Sequence, residues 1–183
     1  MNITAKRLLV LVPLAAVLAG AGGAVHGKVA AQDAAGFVIS HEMTVAGTPK
    51  RVFVALTDEI ARWWDPDHSY SGQADNLFLD ARAGGCFCER LGNGGSVEHM
   101  RVVFASPGRL LRLTGGLGPL QGMGASGSMD FNLRAAGDAA TRLELRYIVS
   151  GFSPDGLGDI AGPVDAVLAN QLARLTEYLD SVH

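Results

Sequence analysis

Six residues in runs that read as strands are the candidates to move a proton or hold a metal: His41, Cys86, Cys88, Glu89, Glu98 and His99. Glu98 falls on the face that alternation assigns to Met100 and Phe104, and is therefore expected to point inward. Glu89 shares that face through Phe87. A carboxyl group facing an apolar cavity has its pKa raised by desolvation and can serve as a general acid or base. The competing expectation is that Glu98 pairs with an arginine at the end of the sheet. His41 lies on a strand face with Phe37, Ile39, Met43 and Val45. There it is either a hydrogen-bonded core residue or a second candidate for proton transfer.

Cys86 and Cys88 are two apart in an extended pattern. Their β-carbons are then roughly 6–7 Å apart on one face, whereas a disulfide needs about 3.8 Å. Free thiols are the expected state, and a bond within the pair requires a local kink. If the hairpin register sets Cys86 opposite His99, two thiolates and an imidazole reach one face, a set that zinc or copper accepts. No fourth ligand is evident, and a register shift of one residue separates the three.

Elements with clear periodicity position these groups. Phe37 to Val45 alternates as a strand. Thr48-Pro49 starts a helix whose apolar side is Val52, Phe53 and Leu56, with Thr48 as N-cap and Pro49 at the first helical position. A second short helix runs from Glu59 to Trp64 and stops at Asp65-Pro66. Short strands are expected at Tyr70 to Gln73 and Asn76 to Leu79. Cys86 to Leu91 and Ser96 to Ala105 form a hairpin across Gly92-Asn93-Gly94-Gly95, with further strands at Arg109 to Thr114, Ser128 to Arg134 and Arg142 to Val149. Alternation of apolar and polar residues marks an antiparallel sheet with one wet face. The chain closes on a helix whose Val164, Val167, Leu168, Leu172, Leu175, Tyr178, Leu179 and Val182 recur at steps of three and four. That apolar stripe must be buried against the sheet, and a curved sheet around a helix leaves a cavity between them.

Residues 1–31 read as a cleavable leader. Lys6-Arg7 precedes an apolar run, Leu8 to Ala19, shorter than the ~20 residues of a membrane span. Val29-Ala30-Ala31 before Gln32 fits a small-x-small cleavage site, with Ala19-Gly20-Ala21 as an earlier one. Residues 32–183 then form one exported domain, periplasmic or secreted, with no membrane span once the leader is removed. The chain carries 15 Lys+Arg against 18 Asp+Glu, a balance of −3. Lys6, Arg7 and Lys28 lie in the leader and no acid does, which leaves the domain 12 basic and 18 acidic residues. Such a domain has no electrostatic case for nucleic acid. No nucleotide fingerprint, Ser-His-Asp arrangement or phosphate loop is readable, and no cofactor is implied.

Thr48-Pro49 with Val52 to Asp58, Trp63-Trp64, Gly84-Gly85 with Phe87 and Glu89, Gly95 to His99, Pro107-Gly108-Arg109-Leu110, Leu117-Gly118-Pro119-Leu120 and the closing helix follow one another in an order that resembles the SRPBCC (START-like, birch-pollen-allergen-like) superfamily. The likeness extends over the whole domain. It is greatest to the subgroup of Aha-type heat-shock-protein ATPase activators and polyketide-cyclase-like proteins. The resemblance implies an α+β helix-grip fold, with a curved antiparallel sheet wrapped around the C-terminal helix and two short helices after the first strand. It also implies a deep apolar cavity, used across the superfamily for lipids, polyketides and aromatics, though not any one activity. A co-chaperone role is disfavoured for an exported chain. The expectation is a binder of a small hydrophobic or aromatic molecule, walled by Trp64, Phe87, Met100, Phe104, Phe131, Tyr147 and Leu168. The competing expectation is a cyclase- or hydrolase-like enzyme using Glu98 or His41.

Overall fold

The structure, a computed structural model, describes residues 26–182. Eight strands form one antiparallel sheet: β1 (His26–Asp33), β2 (Gly36–Ala46), β3 (Leu77–Leu79), β4 (Cys86–Arg90), β5 (Ser96–Ser106), β6 (Leu110–Gly115), β7 (Ser126–Ala135) and β8 (Ala140–Ser150). Their spatial order is β1-β2-β8-β7-β6-β5-β4-β3. Among the described residues four α-helices accompany them: α1 (Pro49–Thr57), α2 (Ile60–Trp63), α3 (Pro119–Gly122) and α4 (Ala161–Ser181). The curved sheet wraps around α4, which is the helix-grip arrangement expected from the sequence.

The inner face of the sheet and the stripe of α4 make the core. Leu168, Leu172, Leu175 and Leu179 are buried at helical spacing, against Ile39, Leu111, Leu143 and Leu145 from the strands. Each such side chain contributes roughly 1.5–3 kcal/mol of burial. At the two ends the expected stripe gives way. Val182 is exposed beyond the last turn, and Val164 is only half-buried because it borders an open pocket.

Thr48 caps α1 through its hydroxyl, which accepts from the Arg51 amide, and Pro49 takes the first turn. Gly47, with φ of 97°, makes the corner between β2 and α1, and its carbonyl accepts from the buried Thr141 hydroxyl at 2.7 Å. Tyr70 to Gln73, expected as a strand, is irregular. Glu89 takes up the amides of Tyr70 and Ser71, so these groups cannot serve a ladder.

β1 is an unexpected element. Its small and polar residues show no alternation, because as an edge strand it buries little. It pairs with β2 along its length, and Gly27 lies so close over the His41 ring that a Cβ there would sit 1.5 Å from Nδ1. The junction after Ala31 falls inside this strand. Cleavage at Ala19-Gly20-Ala21, outside the described residues, would leave β1 whole. The remainder of the leader reading, residues 1–25, also lies outside the described residues. Among the described residues no helix is long and apolar enough to cross a membrane.

Candidate functional site

Two bulges in β5 decide which side chains face inward. Phe87 pairs with Met100 and Cys88 with Glu98, so His99 is an extra residue with no opposite number in β4. Beyond it the alternation is inverted. His99 and Met100 are both buried, while the Glu98 side chain is 44% exposed and pairs with Arg101. Glu98 is thus not the inward carboxyl that simple alternation assigns. A second irregularity, between the pairs Val102–Leu113 and Phe104–Arg112, turns Phe104 outward to 44% exposure and removes it from the expected wall.

The inward carboxyl is Glu89, which is fully buried. Its Oε2 lies 3.0 Å from Nε2 of His99 and accepts from the Tyr70 amide at 3.0 Å; Oε1 accepts from the Ser71 amide. Burial works to raise the Glu89 pKa, but the hydrogen bonds from Ser71, Tyr70 and His99 outweigh it and hold the carboxyl below its ordinary range. Burial lowers the pKa of His99 despite the neighbouring charge. The resulting state is an ionised Glu89 beside a neutral His99. The carboxylate can only accept, so Nε2 carries the ring proton and Nδ1 presents a lone pair. Among the described residues His99 forms its side-chain hydrogen bond through Nε2 and none through Nδ1, and its ring borders the larger of the two spaces that adjoin the pair. The ring is flanked by Phe87 at 4.8 Å and Tyr70 at 5.8 Å between centroids, and Trp64 meets Phe87 edge-on at 5.0 Å.

Two spaces adjoin this cluster. The inner one, between sheet and α4, is lined by Trp64, Phe87, Met100, Phe131 and Leu168 as expected, yet its volume is only about 30 Å³. That is room for about one water, in a setting too apolar to hold it. The deep cavity is therefore nearly filled by its own side chains. The larger space, about 440 Å³ and open to solvent, lies further out. Leu117, Pro119, Ile160, Pro163, Val164, Val167 and Leu168 give it apolar walls, while Asp67 to Tyr70 and His99 supply its polar edge. Leu117 and Leu168 border both spaces and separate them.

The other candidates lie apart. Tyr147 is fully buried and lines neither space; its hydroxyl donates to the Gly115 carbonyl at 3.0 Å and accepts from the Leu117 amide at 3.1 Å. Burial pushes its pKa up to about 12. His41 is 2% exposed, bonded through Nε2 to Asp165 at 2.7 Å, and borders neither space. Cys86 and Cys88 form a disulfide, not the expected free thiols. Their Cα atoms are 5.4 Å apart, so the strand is bent where β5 bulges. Cys86 faces Arg101, and alternation puts both sulfurs on the face opposite Phe87 and Glu89, away from His99. The bond consumes both thiolates. Among the described residues no three His, Cys, Asp or Glu side chains converge as a metal site.

Sequence reasoning also missed Gln171, buried on the stripe of α4. Its Oε1 accepts from the Asp65 amide at 2.9 Å, and its Nε2 lies 3.3 Å from Nδ1 of His68. A polar residue on an apolar helical stripe was the available signal. Together with Asn170, which bonds Asp65, and Arg174, which bonds the Trp63 carbonyl, it fixes the Trp63–His68 segment to α4.

No family model matches the chain. No curated protein matches it either. Solved structures do. One is a Mesorhizobium loti protein at 19% identity and a TM-score of 0.55, covering 80% of this chain and 98% of that one. Another is CalU16 from Micromonospora echinospora, at 17% identity and a TM-score of 0.55, covering 89% and 77%. A conserved protein of Enterococcus faecalis is similar at 13% identity and a TM-score of 0.53, covering 85% and 75%. At these identities the likeness is one of fold alone, the helix-grip arrangement.

Proposed function

We propose that this domain, exported after removal of a leader, binds a small hydrophobic or aromatic molecule, and that the ligand sits in the open 440 Å³ pocket at the N-terminal end of α4. The observation that carries this reading is the pocket itself. It falls within the roughly 300–1,000 Å³ range of small-molecule sites and combines apolar walls with a few polar groups, as such sites do. Burial of apolar ligand surface supplies the affinity. The Lys6-Arg7 and Leu8 to Ala19 pattern supports export, and the Cys86–Cys88 bond suits an oxidising compartment. Native mass spectrometry of freshly purified protein tests the binding reading. A co-purifying small molecule, lost in a Val167→Trp variant that fills the pocket, is the expected result. A protein that carries nothing and takes up no apolar probe would remove it.

The Glu89–His99 pair favours a second reading, an enzyme of polyketide-cyclase or hydrolase type. Proton transfer then belongs to His99 instead of Glu98 or His41. Its Nδ1 would take the proton, and Glu89 would stabilise the imidazolium. A His99→Gln variant that keeps a ligand but loses turnover would separate this reading from simple binding.

A further inference from the structure

The polar groups around the open pocket are unequal in what they still have to offer. The Ser69 hydroxyl donates to the Pro66 carbonyl at 2.8 Å, and the Tyr70 hydroxyl donates to the Gly118 carbonyl at 3.3 Å. Both donors are spent. Among the described residues no lysine or arginine lines the pocket, and Asp67 brings negative charge to its edge, so an anionic ligand meets no basic side chain among them. His68 borders the pocket too, with its Nδ1 accepting from the Gln171 amide nitrogen at 3.3 Å. What remains on the buried side is an acceptor, the Nδ1 lone pair of His99, fixed in that role because Glu89 holds the proton on Nε2. The His99 ring lies 5.8 Å from the Tyr70 ring between centroids, so this end of the pocket presents two flat side chains to a ligand.

From this arrangement we infer that the pocket selects a flat, neutral, mainly apolar molecule carrying one O–H or N–H donor, a phenol, enol or azole N–H, which it hydrogen-bonds to His99 Nδ1. The inference rests on the binding reading above and adds the chemistry of the ligand. A carboxylate is rejected for want of a cation, and an ether of the same skeleton is bound by its apolar surface alone.

The experiment is calorimetric titration of the purified protein at pH 7.5 with 2-naphthol, 2-methoxynaphthalene and 2-naphthoate, repeated on His99→Gln. The glutamine amide nitrogen can take the place of Nε2 and keep the bond to Glu89; the amide oxygen, its one acceptor, then projects from the Cδ2 side of the former ring and leaves the Nδ1 position empty. Wild-type protein is expected to bind the naphthol about tenfold more tightly than the ether, the effect of one buried hydrogen bond. The naphthoate should bind weakest. In His99→Gln the naphthol and the ether should bind alike. Equal affinity for naphthol and ether in the wild type, or tightest binding of the naphthoate, overturns the inference and leaves the binding reading standing. If none of the three binds, the binding reading falls and takes the inference with it. Should His99→Gln fail to fold, the wild-type ranking decides alone.

Discussion

Nε2 of His41, in the middle of β2, lies 2.7 Å from Oδ1 of Asp165, in the first turns of α4, so the sheet and the gripping helix are joined by a polar bond inside an apolar layer. The ring is covered by β1 at Gly27, and its Nδ1 is a buried polar atom without a partner among the described residues. Asp165→Ala would leave both ring nitrogens unpaired, at a cost of about 1–3 kcal/mol. His41→Phe combined with Asp165→Ala should cost less than Asp165→Ala alone, because no buried polar group is then orphaned. Urea unfolding of the variants gives the comparison. Equal losses in both would mean that the bond contributes nothing beyond packing.

Stability should fall with acid, and the sign follows from the buried dyad. Both Glu89 and His99 have native pKa values below their ordinary ones of 4.5 and 6.5. The unfolded chain therefore binds more protons than the native one, and stability rises with pH through that region. The contribution is complete above about 6.5. It begins to fade as the pH drops below the ordinary value of the histidine, and fades further through the carboxylate range. Urea midpoints at pH 7.5, 6.0 and 4.5 should decline in that order. Glu89→Ala, which orphans two amides and the imidazole N–H, should cost at least the roughly 1–3 kcal/mol of one unsatisfied buried donor at pH 7.5. A wild-type midpoint that does not move between pH 7.5 and 4.5 would contradict this account.

The contrast between Glu98 and Glu89 shows what the sequence could and could not say about this site. β7 and β8 keep strict alternation, and every inward residue there, from Met129 to Leu133 and from Leu143 to Val149, was legible. The strand β5 breaks alternation twice, and a bulge depends on the register with the neighbouring strand, information that no local pattern contains. Reading through both bulges moved Glu98 and Phe104 inward and hid the partnership of His99 with Glu89. The size of the cavity was equally unreadable. The stripe on α4 predicts that the helix is gripped, but whether side chains fill the space within depends on how Met100, Phe131 and Leu172 meet across it.

Tyr147 should behave as a support of the pocket lip and not as a wall. Its hydroxyl holds both the Gly115 carbonyl and the Leu117 amide, the segment that carries Leu117 into the pocket. Tyr147→Phe leaves those two backbone groups without that partner and should lower stability by about 1–3 kcal/mol. It should also speed hydrogen exchange at the Leu117 amide, which mass spectrometry or NMR can follow. Unchanged exchange there would assign the Tyr147 hydroxyl no part in holding the lip.

The Cys86–Cys88 bond closes a very small ring, and the stabilisation from a disulfide grows with loop length. Replacing both cysteines by serine should therefore cost less than the ~3 kcal/mol associated with a 15-residue loop. Purified protein should resist alkylation until it is reduced and then take up two labels per chain. Two labels without reduction would return the pair to the free-thiol state expected from an unbent strand.

Leu168 gives the sharpest control over pocket size, because it and Leu117 separate the filled inner space from the open outer one. It is 2% exposed and lies on the core stripe of α4. Leu168→Ala should join the two spaces at a cost of about 2–5 kcal/mol, the range for truncating a buried leucine. The same change should extend the pocket toward Trp64 and Met100 and admit ligands one ring longer than the wild type accepts. Stability would then fall while affinity for a three-ring aromatic such as anthracen-2-ol rises relative to 2-naphthol. The opposite change, Val164→Trp on the outer wall, should block both probes with little loss of stability, since Val164 is only half-buried. If Leu168→Ala lowers affinity for long and short ligands alike, the two spaces do not communicate at this residue, and the ligand is confined to the outer pocket.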